Sequence, residues 1–112
     1  VKIDKDLMKG STTMLILNLL SGEDMYGYQM VKEIEKRSNK TFTLKEGTMY
    51  PILHSLESEG MVEAYWEEST SSRKRKYYHI TGKGRKLLEE KKKEWEIYSN
   101  TVNKVIGGVC FE

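Results

Sequence analysis

Four consecutive cations, Arg73-Lys74-Arg75-Lys76, are the side chains of this 112-residue sequence whose type and spacing point most directly to a chemical task. That task is charge neutralisation, because Lys and Arg pair with phosphate oxygens through charge-assisted hydrogen bonds. They open a basic block: residues 73–93 hold ten Lys and Arg against two Glu, although the whole chain carries only +2. The remainder is therefore net acidic, an asymmetry expected of a polyanion-binding surface. A solvated helix face is the alternative reading of the same charges. In a strand successive side chains alternate, so only two of the four cations can point the same way.

Reaction chemistry has no comparable set. His54 and His79 are the only histidines, Cys110 is the only cysteine, and no motif gathers a nucleophile, a base and an orienting group. Gly82-Lys83-Gly84 lacks the long glycine-rich spacing of a phosphate loop. One Cys and two separated His make no zinc-ligand pattern. No enzyme, metal or cofactor is expected. A single cysteine forms no internal disulfide, and the sequence does not open on a charged-then-apolar leader. The longest apolar run, residues 14–17, is far short of the roughly 20 residues a bilayer span requires. A cytoplasmic protein without a membrane segment is the expectation.

The length suits one domain, and 38% hydrophobic with 32% charged residues excludes a wholly disordered chain. So short a domain buries proportionally little surface, which favours association with a second copy. Apolar side chains across residues 7–20 predict a helix ending near Gly22, buried on more than one side. Residues 26–37 place Tyr26, Met30, Val31 and Ile34 at helical spacing opposite Lys32, Glu33, Lys36 and Arg37. In a third helix Met49, Ile52, Leu53 and Leu56 form one apolar stripe that stops at Gly60, a residue suited to the left-handed cap. Pro51, which lacks an N–H, allows the regular part of this helix to start as late as Thr48.

The period then changes to two. Val62, Ala64 and Trp66 alternate with Met61, Glu63 and Tyr65, and Tyr78 and Ile80 with Tyr77 and His79, predicting strands over 61–66 and 75–81 joined by a basic-tipped hairpin. A final helix over residues 82–106 repeats Leu88, Trp95, Val102 and Val109 every seven residues, with Tyr98 and Val105 offset by three, which is a heptad seam. The expected architecture is mainly α with a small β-hairpin. Residues 1–81 would form a winged helix-turn-helix DNA-binding domain with an N-terminal helix, and residues 82–112 a long C-terminal dimerisation helix, the whole being one compact unit.

The stretch Gly47-Thr48-Met49-Tyr50-Pro51-Ile52-Leu53-His54-Ser55-Leu56-Glu57-Ser58-Glu59-Gly60-Met61-Val62 resembles the recognition-helix signature of PadR-family transcriptional regulators. Tyr26-Gly27-Tyr28 upstream, and Arg75-Lys76-Tyr77-Tyr78-His79-Ile80-Thr81 with Gly84 downstream, are similar to that family's second helix and wing. The single short C-terminal helix looks like the compact branch, which includes multidrug-responsive repressors. Three positions depart from the pattern: Lys45-Glu46 replaces a frequent Ser-Pro, Ser71-Ser72 replaces glycines at the wing tip, and Lys92 stands where an aromatic is found.

DNA binding requires cations near phosphates and a few polar side chains presented to base edges. With the third helix's apolar stripe inward, Thr48, Tyr50, His54, Ser55 and Ser58 are available to a major groove, and the resemblance makes Thr48 and Tyr50 DNA-contacting positions. Tyr50 is otherwise core packing, and His54 otherwise an ordinary exposed histidine. Arg73, Lys74, Arg75 and Lys76 supply phosphate contacts from the wing. The dimer seam comprises Leu88, Trp95, Tyr98, Val102 and Val105. Two Trp95 rings facing across a two-fold axis would leave a slot that stacks on a planar aromatic ligand, or would simply pack the dimer core. The resemblance implies such a site, with Leu7, Met14, Asn18 and Ser99 lining it. The expected function is a homodimeric repressor of a pseudo-palindromic operator, responsive to a small aromatic effector. The alternative is a winged-helix protein-interaction module whose basic wing meets an acidic partner.

Overall fold

The computed structural model describes residues 2–68 and 73–107. The Ser71-Ser72 turn, Val109 and Cys110 lie outside the described residues. The elements run α1 (Lys5–Lys9), α2 (Thr12–Gly22), β1 (Met25–Tyr26), α3 (Gly27–Arg37), α4 (Glu46–Ser58), β2 (Val62–Glu68), β3 (Lys74–Ile80) and α5 (Gly82–Val105). This is a winged helix-turn-helix with a long C-terminal helix.

The N-terminal helix expected over residues 7–20 is two helices. Gly10, an entropically poor helix residue, closes α1, and the hydroxyls of Ser11 and Thr12 both donate to the Met8 carbonyl, at 3.1 and 3.0 Å. α2 restarts beyond that break and places Ile16, Leu17, Leu19 and Leu20 in the core with at most 1% exposure. α3 follows the expected pattern, burying Met30 and Ile34.

In α4, regular structure starts at Glu46 rather than Thr48, because the Lys45 carbonyl accepts from the Thr48 and Met49 amides at 3.0 and 2.9 Å. Pro51 therefore sits inside the helix. A proline ring crowds the carbonyl four residues back, which here belongs to Gly47, the residue with no side chain to add to the crowding. The helix ends as the sequence indicates, with Gly60 at φ +75° and the Met61 amide donating back to the Leu56 carbonyl.

The hairpin pairs β2 with β3 antiparallel from Val62↔Ile80 to Glu68↔Lys74. A third strand was not anticipated: β1 adds to the other side of β3 through Met25↔Tyr78 and Tyr26↔Tyr77, giving the order β1-β3-β2. Two residues are too short to show an alternation, and their pairing spans more than fifty positions of sequence. Val62, Tyr78 and Ile80 face the helices and are buried.

α5 starts on Thr81, whose hydroxyl oxygen accepts from the Gly84 amide at 3.1 Å while its hydroxyl lies 2.7 Å from the Gly60 carbonyl. Its first turns pack on α2. There Leu88, read from the sequence as the first seam position, joins the chain's own core at 3% exposure. Its side chain is already covered, which leaves the seam to begin at Trp95.

Candidate nucleic-acid interface

α4 crosses the molecule with Met49, Leu53 and Leu56 inward, so helical geometry turns Thr48, His54, Ser55 and Ser58 outward, and all four are exposed. Tyr50 differs. It is half-buried and its phenol lies over Gly27 at the start of α3, so closely that a Cβ on residue 27 would collide with the Tyr50 hydroxyl. Tyr50 thus packs two helices together and is only partly exposed.

The wing rises beside this helix. Between them runs a groove of about 470 Å³ that gathers Tyr50 and His54 of α4 with Arg73, Arg75 and Lys76, and with Tyr26, Tyr28 and Trp66. Thr48 and Ser55, one heptad apart, share a neighbouring face of α4 outside the groove lining. Three of the four wing cations reach the groove, one more than alternation along a strand predicts, and Arg73 lies just ahead of β3, where alternation does not apply. β1 pairs with β3 only at Tyr77 and Tyr78, so Arg75 and Lys76 stand on a stretch of β3 that β1 does not pair. Lys74, the fourth, is exposed on the strand that leads to the tip.

The cations are held by aromatic and acidic neighbours. The Arg75 guanidinium lies 4.4 Å from the Tyr26 ring centroid, and the Lys76 ammonium is 5.5 Å from that of Tyr78 and 3.5 Å from a Glu57 carboxylate oxygen. The Lys76–Glu57 pair links wing to α4, but it is solvent-accessible and contributes little to stability. Its effect is orientation. Further along the basic block four cations have partners in the chain: Lys83 donates to the Glu59 carbonyl at the end of α4, Arg85 donates to the Ser21 carbonyl, and Lys91 and Lys92 pair with Glu94 and Glu89 on the surface of α5. The concentrated part of the positive surface is the wing.

On the opposite face of the sheet, a cluster that sequence reasoning missed fixes the wing's base. The Asp24 carboxylate accepts from the Tyr65 hydroxyl at 2.6 Å and meets His79 Nδ1 at 2.8 Å. Burial pushes the Asp24 carboxyl up, but the hydrogen bonds from Tyr65 and His79 and the charge of His79 outweigh it and hold the group below its ordinary value. The bond to Asp24 pushes the Tyr65 phenol up to about 12. Tyr65 stacks on Tyr77, whose ring meets Tyr26 edge-on, so one tyrosine from each strand forms a row across the sheet.

The distal half of α5 carries Trp95, Tyr98, Val102 and Val105, which are 47%, 60%, 38% and 81% exposed, with the Trp95 and Tyr98 centroids 6.3 Å apart. Leu7 on α1 is also exposed, Met14 and Asn18 are half-buried on α2, and Ser99 is half-buried with its hydroxyl bonded to the Glu96 carbonyl. Among the described residues no three His, Cys, Asp or Glu come together as a metal site, and no helix is long and apolar enough to cross a membrane.

This architecture has close counterparts. A transcriptional regulator from Clostridium thermocellum superposes with a TM-score of 0.83 at 35% identity, over 89% of this chain and 97% of that one. A PadR-like transcriptional regulator from Bacillus cereus gives 0.78 at 38% identity, over 94% and 100%. An uncharacterised protein of Lysinibacillus sphaericus is 39% identical over 93 residues, 83% of this chain and 85% of that one. The model of the transcriptional regulator PadR-like family matches residues 16–90, from the core of α2 through the wing into α5, and the chain belongs to that family of DNA-binding transcriptional regulators.

Proposed function

We propose that the protein is a homodimeric repressor that grips a pseudo-palindromic operator through two copies of the α4–wing groove. The observation that carries this reading is the groove itself, in which His54 and Tyr50 of α4 share one surface with three wing cations, Arg73, Arg75 and Lys76. There His54, with Thr48 and Ser55 on the neighbouring face, meets base edges, while Arg73, Arg75 and Lys76 in the groove and Lys74 beside it meet phosphates. Tyr50 contributes its exposed part and sets the angle between α3 and α4. Dimerisation occurs along the uncovered apolar stripe of α5 from Trp95 to Val105, which no other part of the described chain covers. Two-fold symmetry then presents the α4 helices to successive major grooves about 34 Å apart.

A small planar aromatic effector is the second half of the reading. The half-exposed Trp95 ring beside Tyr98 offers one wall of a stacking slot whose other wall is the partner's copy, with Leu7, Met14, Asn18 and Ser99 around it. Such a ligand releases DNA only to the extent that it binds the non-operator geometry more tightly.

Selection from random duplex DNA at about 150 mM salt, where purely electrostatic binding is already much weakened, tests the proposal. An enriched inverted repeat with half-sites about one helical turn apart is expected. Retained DNA with no enriched motif would show that the groove meets phosphates without reading sequence, and would overturn the operator.

A further inference from the structure

Strand alternation alone makes Trp66 an inward residue, since it shares a face with Val62 and Ala64 and with Tyr78 and Ile80 across the ladder. The hairpin outgrows the helices beneath it. Val62 and Ile80 are each 1% exposed, yet Trp66, paired with Lys76 near the far end, is 64% exposed. An indole left so open forgoes much of the gain of apolar burial. Its surroundings are informative: it lines the α4 groove together with Tyr28, Arg73, Arg75 and Lys76, so a flat apolar ring stands among cations on the surface that faces α4's outward residues. An occupant that suits both must be anionic at its edge and carry flat or apolar faces within, and duplex DNA has that combination in its phosphates, sugars and base edges.

Resting on the DNA-binding reading above, we infer that Trp66 is the wing's non-ionic DNA contact, its indole packing against sugar and base edges of the groove next to the half-site while the flanking cations hold the phosphates. Such a contact releases no counterions. It therefore adds affinity at every salt concentration by the same factor.

The two kinds of contact separate in a salt series. Trp66→Ala is expected to weaken binding to the selected duplex about tenfold, with an unchanged slope of log affinity against log salt, and Trp66→Phe to recover part of the loss. Both variants should melt like the wild type, because the ring is exposed. Position is read independently by fluorine NMR of protein labelled with 5-fluorotryptophan, in which the Trp66 resonance is identified by its disappearance in Trp66→Phe. On saturation with duplex that resonance should shift. If the duplex binds but the Trp66 resonance stays in place and Trp66→Ala binds normally, the inference is wrong while DNA binding by the groove stands. If no duplex binds, DNA is not the occupant and both readings fall. A resonance that shifts only with an acidic protein would assign the ring to that class of partner instead.

Discussion

At Gly84 the absence of one methyl group fixes where the long helix leaves the sheet. A Cβ there would run into the Met61 carbonyl oxygen and stand 2.8 Å from a side-chain carbon of Ile80. Both obstacles belong to the β2–β3 base and cannot swing aside as a flexible side chain would. In an open helix Gly→Ala gains up to about 1 kcal/mol. Here Gly84→Ala should instead destabilise by roughly 1–3 kcal/mol, the usual cost of overpacking, and thermal unfolding checks the sign. A stabilised variant would mean that α5 can shift off the sheet freely. The wing cations act through charge rather than shape. Replacing Arg73 and Lys74 by Glu should weaken binding to all duplexes alike and flatten the salt dependence by about 0.9 per lost phosphate contact. An unaltered salt slope would take the wing tip out of the interface.

Asp24 works one level up, as the bracket that ties the α2–β1 turn to β2 through Tyr65 and to β3 through His79. Because its carboxyl is held below the ordinary value of 3.8, the stabilisation is complete above that value and disappears as pH falls through the lowered one. Wild type should therefore melt higher than Asp24→Asn at about pH 5, and the margin should close below about pH 4. A margin independent of pH would show that the carboxylate charge is not what holds the wing. The bracket was invisible in the sequence because its three members are separated by up to 55 positions, and Asp24, the residue that joins the two strand positions, belongs to no periodic pattern. The helices, the hairpin and the outward set on α4 were legible, since each is written as a local period of 3.6 or 2 with glycine or threonine at its boundary. What local pattern could not carry was competition among neighbours. The hydroxyls of Ser11 and Thr12 broke a helix whose apolar period continued, Arg73 fell ahead of β3 and so outside the alternation, and α2 claimed Leu88 from the seam.

The whole molecule is more extended than its length requires. A compact chain of 112 residues would have a radius of gyration of about 13 Å, but the value is 15.7 Å and the longest dimension 55 Å. α5 accounts for this. Its 24 residues reach about 36 Å, and its buried residues lie in the first turns, Gly84 against the Met61 carbonyl just ahead of β2 and Leu88 in the core. Beyond them an apolar stripe from Trp95 to Val105 lies open along a lever attached to the wing's base. A second copy covering that stripe would set the distance between two α4 helices through rigid elements, so dimer geometry and operator spacing become one quantity. Val102→Glu separates the two roles of the chain. Val102 lies outside the buried core, so the variant should retain the wild-type fold by circular dichroism, whereas two carboxylates brought together across a two-fold axis should split the dimer. Light scattering at micromolar concentration is expected to find a dimer for wild type and a monomer for Val102→Glu, with operator affinity lost in parallel. A Val102→Glu protein that stays dimeric would move the interface away from this stripe. A monomeric wild type would remove the two-fold arrangement, and with it any slot between paired Trp95 rings.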